Sequence, residues 1–157
     1  NDVKPMEKGM YKDARAVKYV LNLNNIKDSA IILYGESLCT AIAVDLSKEF
    51  NFSVIILESP FTSMVKLAKK YYPFLPVKLI LKDKYETIGK LDQINSPILI
   101  MHEAKDTIVP FGRGLKISEI VNSHKYKSFN DNDDHMMDYN EDLVQSIRHL
   151  IKTMDIN

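Results

Sequence analysis

IILYGESLCT, residues 31–40, places a glycine at the end of an apolar run and a serine two residues later. From Leu38 onward, Ala41, Ile42, Leu46 and Phe50 recur at helical spacing. The run from 29 to 34 is β-branched at its centre, preceded by Asn24 and Asn25 and closed by Gly35. Such a short continuous run suits a strand buried on both faces, as in a parallel sheet. Ser37 therefore stands at a strand-to-helix seam. It reads either as a nucleophile presented on a sharp turn or as a polar residue capping the helix.

The same alternation extends in both directions. Met10, Ala14, Val17 and Leu21 predict an amphipathic helix over residues 10–22. SVIILE (53–58) and SPILIMH (96–102) repeat the buried-strand pattern, the latter opened by a proline at a position a strand tolerates. FTSMVKLAKKYY (61–72) reads as helix and stops before Pro73. Residues 74–94, punctuated by Pro76 and Gly89, read as short helices and loops. A helix over 113–121, a weaker strand KYKSF (125–129) and a closing helix marked by Leu143, Ile147, Leu150 and Ile151 complete the order. Strands alternating with helices predict an α/β fold with a mainly parallel sheet and flanking helices.

Composition limits the function classes. The chain has 157 residues, 45% hydrophobic and 27% charged, which suits one globular domain with its own core. Its 21 basic and 21 acidic residues balance and no basic run stands out, which argues against nucleic acid as a partner. The apolar runs fall far short of the ~20 residues that cross a bilayer. The single cysteine, Cys39, forbids an intrachain disulfide and fits a reducing, cytoplasmic setting. The chain opens on Asn1 without an initiator methionine, so a longer form with an upstream anchor is compatible with this reading.

In parallel sheets, ligands lie beyond the carboxyl ends of the strands. There the four runs are followed by Ser37, by Glu58, by His102 to Asp106, and by an acidic stretch ending in His135. Serine, acid and histidine in that chain order suit a nucleophilic triad. A serine hydroxyl needs a base to take its proton as it attacks, a histidine does so near neutral pH, and a buried carboxylate fixes the imidazole tautomer. Ser37 would be the nucleophile, His135 the base and Asp106 the acid, with Glu58 as rival acid. The backbone N–H of Leu38 would be one oxyanion donor. The plainer readings are a loop-capping role for Asp106 and a solvated histidine at 135. His102 reads as a strand-end residue, His124 and His149 as surface residues, and Cys39 as a packing residue beside the turn. Tyr71, Tyr72, Phe74 and Leu75 suit either an acyl pocket or the core. Asp131, Asp133 and Asp134 lack the glycine and terminal glutamate of a calcium loop.

LYGESL, VIILESPFTS, YYPFLPV and PILIMHEAKDTIVP, followed by Asp134-His135, together resemble the α/β-hydrolase superfamily. More narrowly, they resemble the bud-emergence-suppressor-like serine hydrolases and their depalmitoylase relatives. The resemblance runs from about Gly9 to the closing helix and matches Ser37, Asp106 and His135 to that family's triad. It departs at Cys39, Glu103 and Asp134, where the family has glycines. A non-glycine forced to positive φ costs roughly 1–2 kcal/mol, so shifted loops are expected at 103 and 134. The family also has strands ahead of the first helix here, one of whose loops carries the second oxyanion donor. The chain thus resembles the C-terminal portion of such a domain, one unit over 1–157 with residues 1–9 as an N-terminal extension. A dimer or a missing N-terminal segment would cover the open sheet edge.

The resemblance implies a serine hydrolase acting on an ester or thioester, lipid-linked or on an acylated protein, through an acyl-enzyme. No metal or organic cofactor is implied. The alternative is an inactive, truncated remnant serving as a binding module.

Overall fold

The computed structural model describes residues 6–122, 125–130 and 141–153. Four strands form one parallel sheet in the order β1-β2-β3-β4: β1 Ile32–Glu36, β2 Val54–Glu58, β3 Ile98–Glu103 and β4 Lys125–Asn130. Among the described residues, six α-helices alternate with them: α1 Glu7–Leu23, α2 Leu38–Leu46, α3 Met64–Tyr71, α4 Val77–Ile80, α5 Gly112–Ile120 and α6 Glu141–Thr153. Short 3-10 turns at Asp28–Ala30 and Ile88–Gln93 link them.

Strand alternation divides the core between the two faces of the sheet. Ile55, Leu57, Ile98 and Ile100 share a cluster with Val44 of α2 and Ile117 of α5. Ile56, Leu99 and Met101 point the other way, against Ile147 and Ile151 of α6. Every residue of β2 and β3 is buried, as their apolar runs predict.

β1 departs from that expectation. It begins at Ile32 rather than 29, and Ile32 is 48% and Tyr34 39% exposed. The reason is position: β1 is the edge strand of the described sheet, so part of its surface has no neighbour.

α1 starts at Glu7 rather than 10, and its inward stripe also differs from the sequence reading. Met10, Tyr11 and Ala14 pack inward, but Val17 is 62% exposed while Lys18 is 2% exposed. Lys18 is accommodated because its Nζ lies 2.5 Å from Asp28, bonds Asn22 and sits 4.9 Å over the Phe50 ring. The buried stripe thus follows 10–14–18, a spacing of four residues that a hydrophobicity count rejects at the lysine.

An ion cluster fastens α1 to α2. Asp45 Oδ2 lies 2.8 Å from Arg15, and its Oδ1 lies 2.8 Å from Lys90 and 3.3 Å from Lys48. Burial by itself would raise the Asp45 carboxyl. The hydrogen bonds from Lys90 and Arg15 and the charges of Lys90 and Lys48 outweigh it, and hold the group below its ordinary value.

Residues 61–72 form helix only from Met64, because Ser63 caps it, accepting from Lys66 N–H at 3.3 Å. Tyr71, Tyr72, Phe74 and Leu75 are exposed, so the core reading for them is overturned. No helix among the described residues is long and apolar enough to cross a membrane.

Candidate active site

Ser37 joins β1 to α2 with φ 48° and ψ −114°, a left-handed backbone that a β-substituted residue seldom adopts. Three contacts hold it there. Its N–H donates to the Glu58 carbonyl at 2.9 Å, and its own carbonyl accepts from the Thr40 N–H at 3.1 Å and the Thr40 hydroxyl at 2.6 Å. Gly35 permits the sharp turn: a Cβ there would stand 2.7 Å from the Cys39 carbonyl oxygen. Strain of this kind persists only where surrounding structure over-determines it. Ser37 does not act as a side-chain cap of α2, which removes the helix-cap reading.

Leu38 is the first residue of α2, and helix-first N–H groups lack an intrahelical acceptor. Such an amide beside a serine is available to a developing oxyanion. Cys39 is exposed rather than packed, and its backbone is not among the positive-φ residues. The same holds at Glu103, which ends β3 fully buried with ordinary φ, so the expected loop strain there is absent. Positive φ is found instead at Asn25, Ser37, Ser59 and Tyr85.

Asp106 follows β3, its carboxylate fully buried. Oδ1 accepts from the N–H groups of Ile108 at 2.9 Å and Val109 at 2.7 Å, which folds the loop around it. Oδ2 lies 3.4 Å from Nε2 of His102. That nitrogen is also 2.9 Å from the Val109 carbonyl, an acceptor only, so Nε2 carries the proton. His102 therefore braces the Asp106 loop, a role its strand-end position did not reveal; the contact arises only because the loop turns back over the ring. Gly114 of α5 lies close on the ring's far side, where a Cβ would be 2.3 Å from Nδ1.

Glu58, the rival acid, is fully buried and bonded by the Tyr34 hydroxyl. Its register partner is Glu36, at the end of β1. Ser37 and Asp106 thus lie at one end of the sheet, on loops following strands two positions apart, about 10 Å at the usual strand spacing. β4 ends beside β3, and the chain that follows it carries His135. His135, His124 and the three aspartates at 131, 133 and 134 lie outside the described residues, whereas His149 is exposed.

No family model matches the chain. Among curated proteins, it is 35% identical over 121 residues to Alpha/beta hydrolase domain-containing protein 17B of Homo sapiens, an alignment covering 74% of this chain and 39% of that protein. The chain has the α/β-hydrolase fold and resembles proteins of that superfamily. This chain is also 37% identical over 111 residues to an uncharacterised Mycobacterium tuberculosis protein, covering 70% of the chain and 40% of that protein. It thus spans about two fifths of the length of the curated relatives it matches. Solved structures agree on the fold. An acetyl xylan esterase from Paenibacillus sp. R4 matches 93% of the chain with 52% of its own, at TM-score 0.73 and 13% identity. An α/β-hydrolase enzyme from a lagoon-sediment metagenome matches 93% of the chain with 71% of its own, at TM-score 0.71 and 18% identity.

Proposed function

We propose that this chain carries the nucleophile and acid of a serine hydrolase that cleaves an ester or thioester through an acyl-enzyme. The observation that carries the reading is the positive-φ backbone of Ser37, held by hydrogen bonds to Glu58 and Thr40 at a strand-to-helix turn that Gly35 permits. The step balances without a cofactor. Ser37 Oγ forms a bond to the acyl carbon as its proton passes to the imidazole of His135, and the carbon–oxygen or carbon–sulfur bond to the leaving group breaks. The leaving group takes the proton from His135. Water, activated by the same imidazole, then releases the acid and restores the serine. Asp106 orients His135, and Leu38 N–H supplies one oxyanion donor.

A second oxyanion donor, and strands covering the edge of β1, would come from an N-terminal segment or from a second copy. The open edge at Ile32 and Tyr34 favours a second reading for the isolated chain: an inactive portion that acts as a binding module until that flank is covered. Losing one oxyanion donor costs ~10²–10³ in rate, so residues 1–157 alone are expected to be a slow catalyst.

The test is labelling by a serine-directed fluorophosphonate, on this chain and on a longer form carrying it. Labelling that disappears in Ser37→Ala supports the assignment. Labelling that survives the substitution points to another serine and overturns it. A longer form that folds yet is never labelled leaves the binding-module reading.

A further inference from the structure

The segment joining β2 to β3 concentrates two features that a water-exposed surface does not favour together. Residues 64–84 contain six lysines, at 66, 69, 70, 78, 82 and 84, all exposed, against one acid, Asp83. The chain as a whole is charge-balanced, so this is a local excess. Among the lysines stand exposed apolar side chains: Phe74 at 98%, Leu79 at 85%, and Tyr72, Leu75 and Ile80 about half exposed. Scattered apolar residues on a surface need no explanation, but a contiguous patch rimmed by charge marks an interaction surface.

The local structure holds this patch up rather than letting it fold inward. α3 ends at Tyr71 and Pro73 follows; Pro76 precedes α4. Each proline fixes its own φ and bars the residue before it from helix. The Tyr71 hydroxyl lies 2.7 Å from the Thr107 carbonyl and 2.6 Å from that of Ile108, donating to both in a shared bond. It ties the patch to the loop that holds Asp106, at the same end of the sheet as Ser37. A cleft of about 250 Å³ opens beside Leu75, Val77 and Leu79, flanked by Lys69 and Lys78.

We propose that this segment is a peripheral docking surface for an anionic lipid bilayer, with Phe74, Leu79 and Ile80 entering the acyl boundary and the lysines meeting the headgroups. A bilayer surface offers both chemistries: an apolar layer for the exposed apolar side chains and negative charge for the lysines among them. Tyr71 and Tyr72 suit the level between, where amphipathic rings settle. A second copy is disfavoured because it would bring two lysine rims face to face. The inference stands on surface chemistry and holds whether or not Ser37 is a nucleophile. If both hold, the docked face presents the site to acyl chains already in the membrane.

The experiment is co-sedimentation of the full 157-residue chain with vesicles of phosphatidylcholine alone and of phosphatidylcholine mixed with phosphatidylserine. Binding is expected to the mixed vesicles and to weaken with added salt. Phe74→Ser with Leu79→Ser should lower the partition coefficient at least about tenfold. Lys69→Gln and Lys78→Gln should each lower it about fivefold. All four side chains are exposed or flank an open cleft, so circular dichroism should not change. A folded chain that stays in the supernatant overturns the proposal, as does a double serine variant that binds like the parent. A lipid-free dimer that the double serine variant dissociates would assign the patch to a second copy and overturn it too.

Discussion

A Cβ placed on Gly35 would stand 2.7 Å from the carbonyl oxygen of Cys39, closer than side-chain carbons approach backbone. The glycine thus sets how tightly β1 can turn into α2, and so where the Ser37 hydroxyl is presented. Gly35→Ala must push strand and helix apart. The expected result is a destabilisation of about 2 kcal/mol with loss of fluorophosphonate labelling, checked by urea denaturation and labelling on the same sample. An alanine variant as stable as the parent would show that the turn has slack.

Ser37 itself should be a stability cost. Its φ of 48° suits glycine better than serine. Ser37→Gly is expected to stabilise the fold by up to about 1 kcal/mol while removing any serine-dependent turnover. A denaturation midpoint below that of the parent would show that the serine side chain contributes more than the backbone strain costs.

The brace on Asp106 can be probed from two sides. In Gly114→Ala, the new methyl meets the His102 ring at Nδ1 and displaces it from Val109. In His102→Gln, the amide can still donate toward Val109. If His102 acts by holding the acid loop, Gly114→Ala should cut kcat at least about tenfold with little change in KM, and His102→Gln should retain more activity than His102→Ala. Equal losses in the two His102 variants would leave the ring with a packing role only.

Asp45 makes stability depend on pH. Its folded carboxyl is held below its ordinary value by Lys90, Arg15 and Lys48, against the effect of burial. The sign follows from linkage: stability from this group is present above the unfolded value of ~3.9 and is lost as pH falls through the lower folded value. Asp45→Asn is expected to cost about 1–3 kcal/mol at pH 7, discounted because Arg15 and Lys90 remain partly in water. The gap between parent and variant should narrow below about pH 4, as read from denaturant midpoints across pH. A constant gap would remove the charge argument.

The edge of β1 gives a further prediction. Exposed strand edges invite pairing with other chains. The isolated chain is expected to associate with concentration, and Ile32→Lys, which places a charge on the edge without touching the Tyr34–Glu58 bond, should reduce association in sedimentation velocity. Unchanged association would locate the contact elsewhere.

The runs at 53–58 and 96–102 were legible as buried strands because a strand covered on both faces must be apolar at every position, and no other local structure of that length needs to be. The closing helix was legible from the spacing of Leu143, Ile147, Leu150 and Ile151, and the seam at Ser37 from the glycine that ends an apolar run. What local pattern does not carry is which neighbours a residue meets. Lys18 is buried and Val17 exposed because Asp28, Asn22 and Phe50 converge on the lysine from elsewhere in the chain. β1 reads like β2 yet is half open, since an apolar run does not reveal whether it lies at the edge of its sheet. Phe74 reads as core or pocket and is fully exposed, because prolines on either side and the Tyr71 bond to a distant loop hold it outward. His102 reads as a strand end and braces Asp106, because a loop closes back over it. The sequence by itself determined the fold class, the element order and the candidate residues, since periodicity and chain order are local properties. Only the tertiary structure decided edge, burial and brace, because each depends on contacts between segments far apart in the chain.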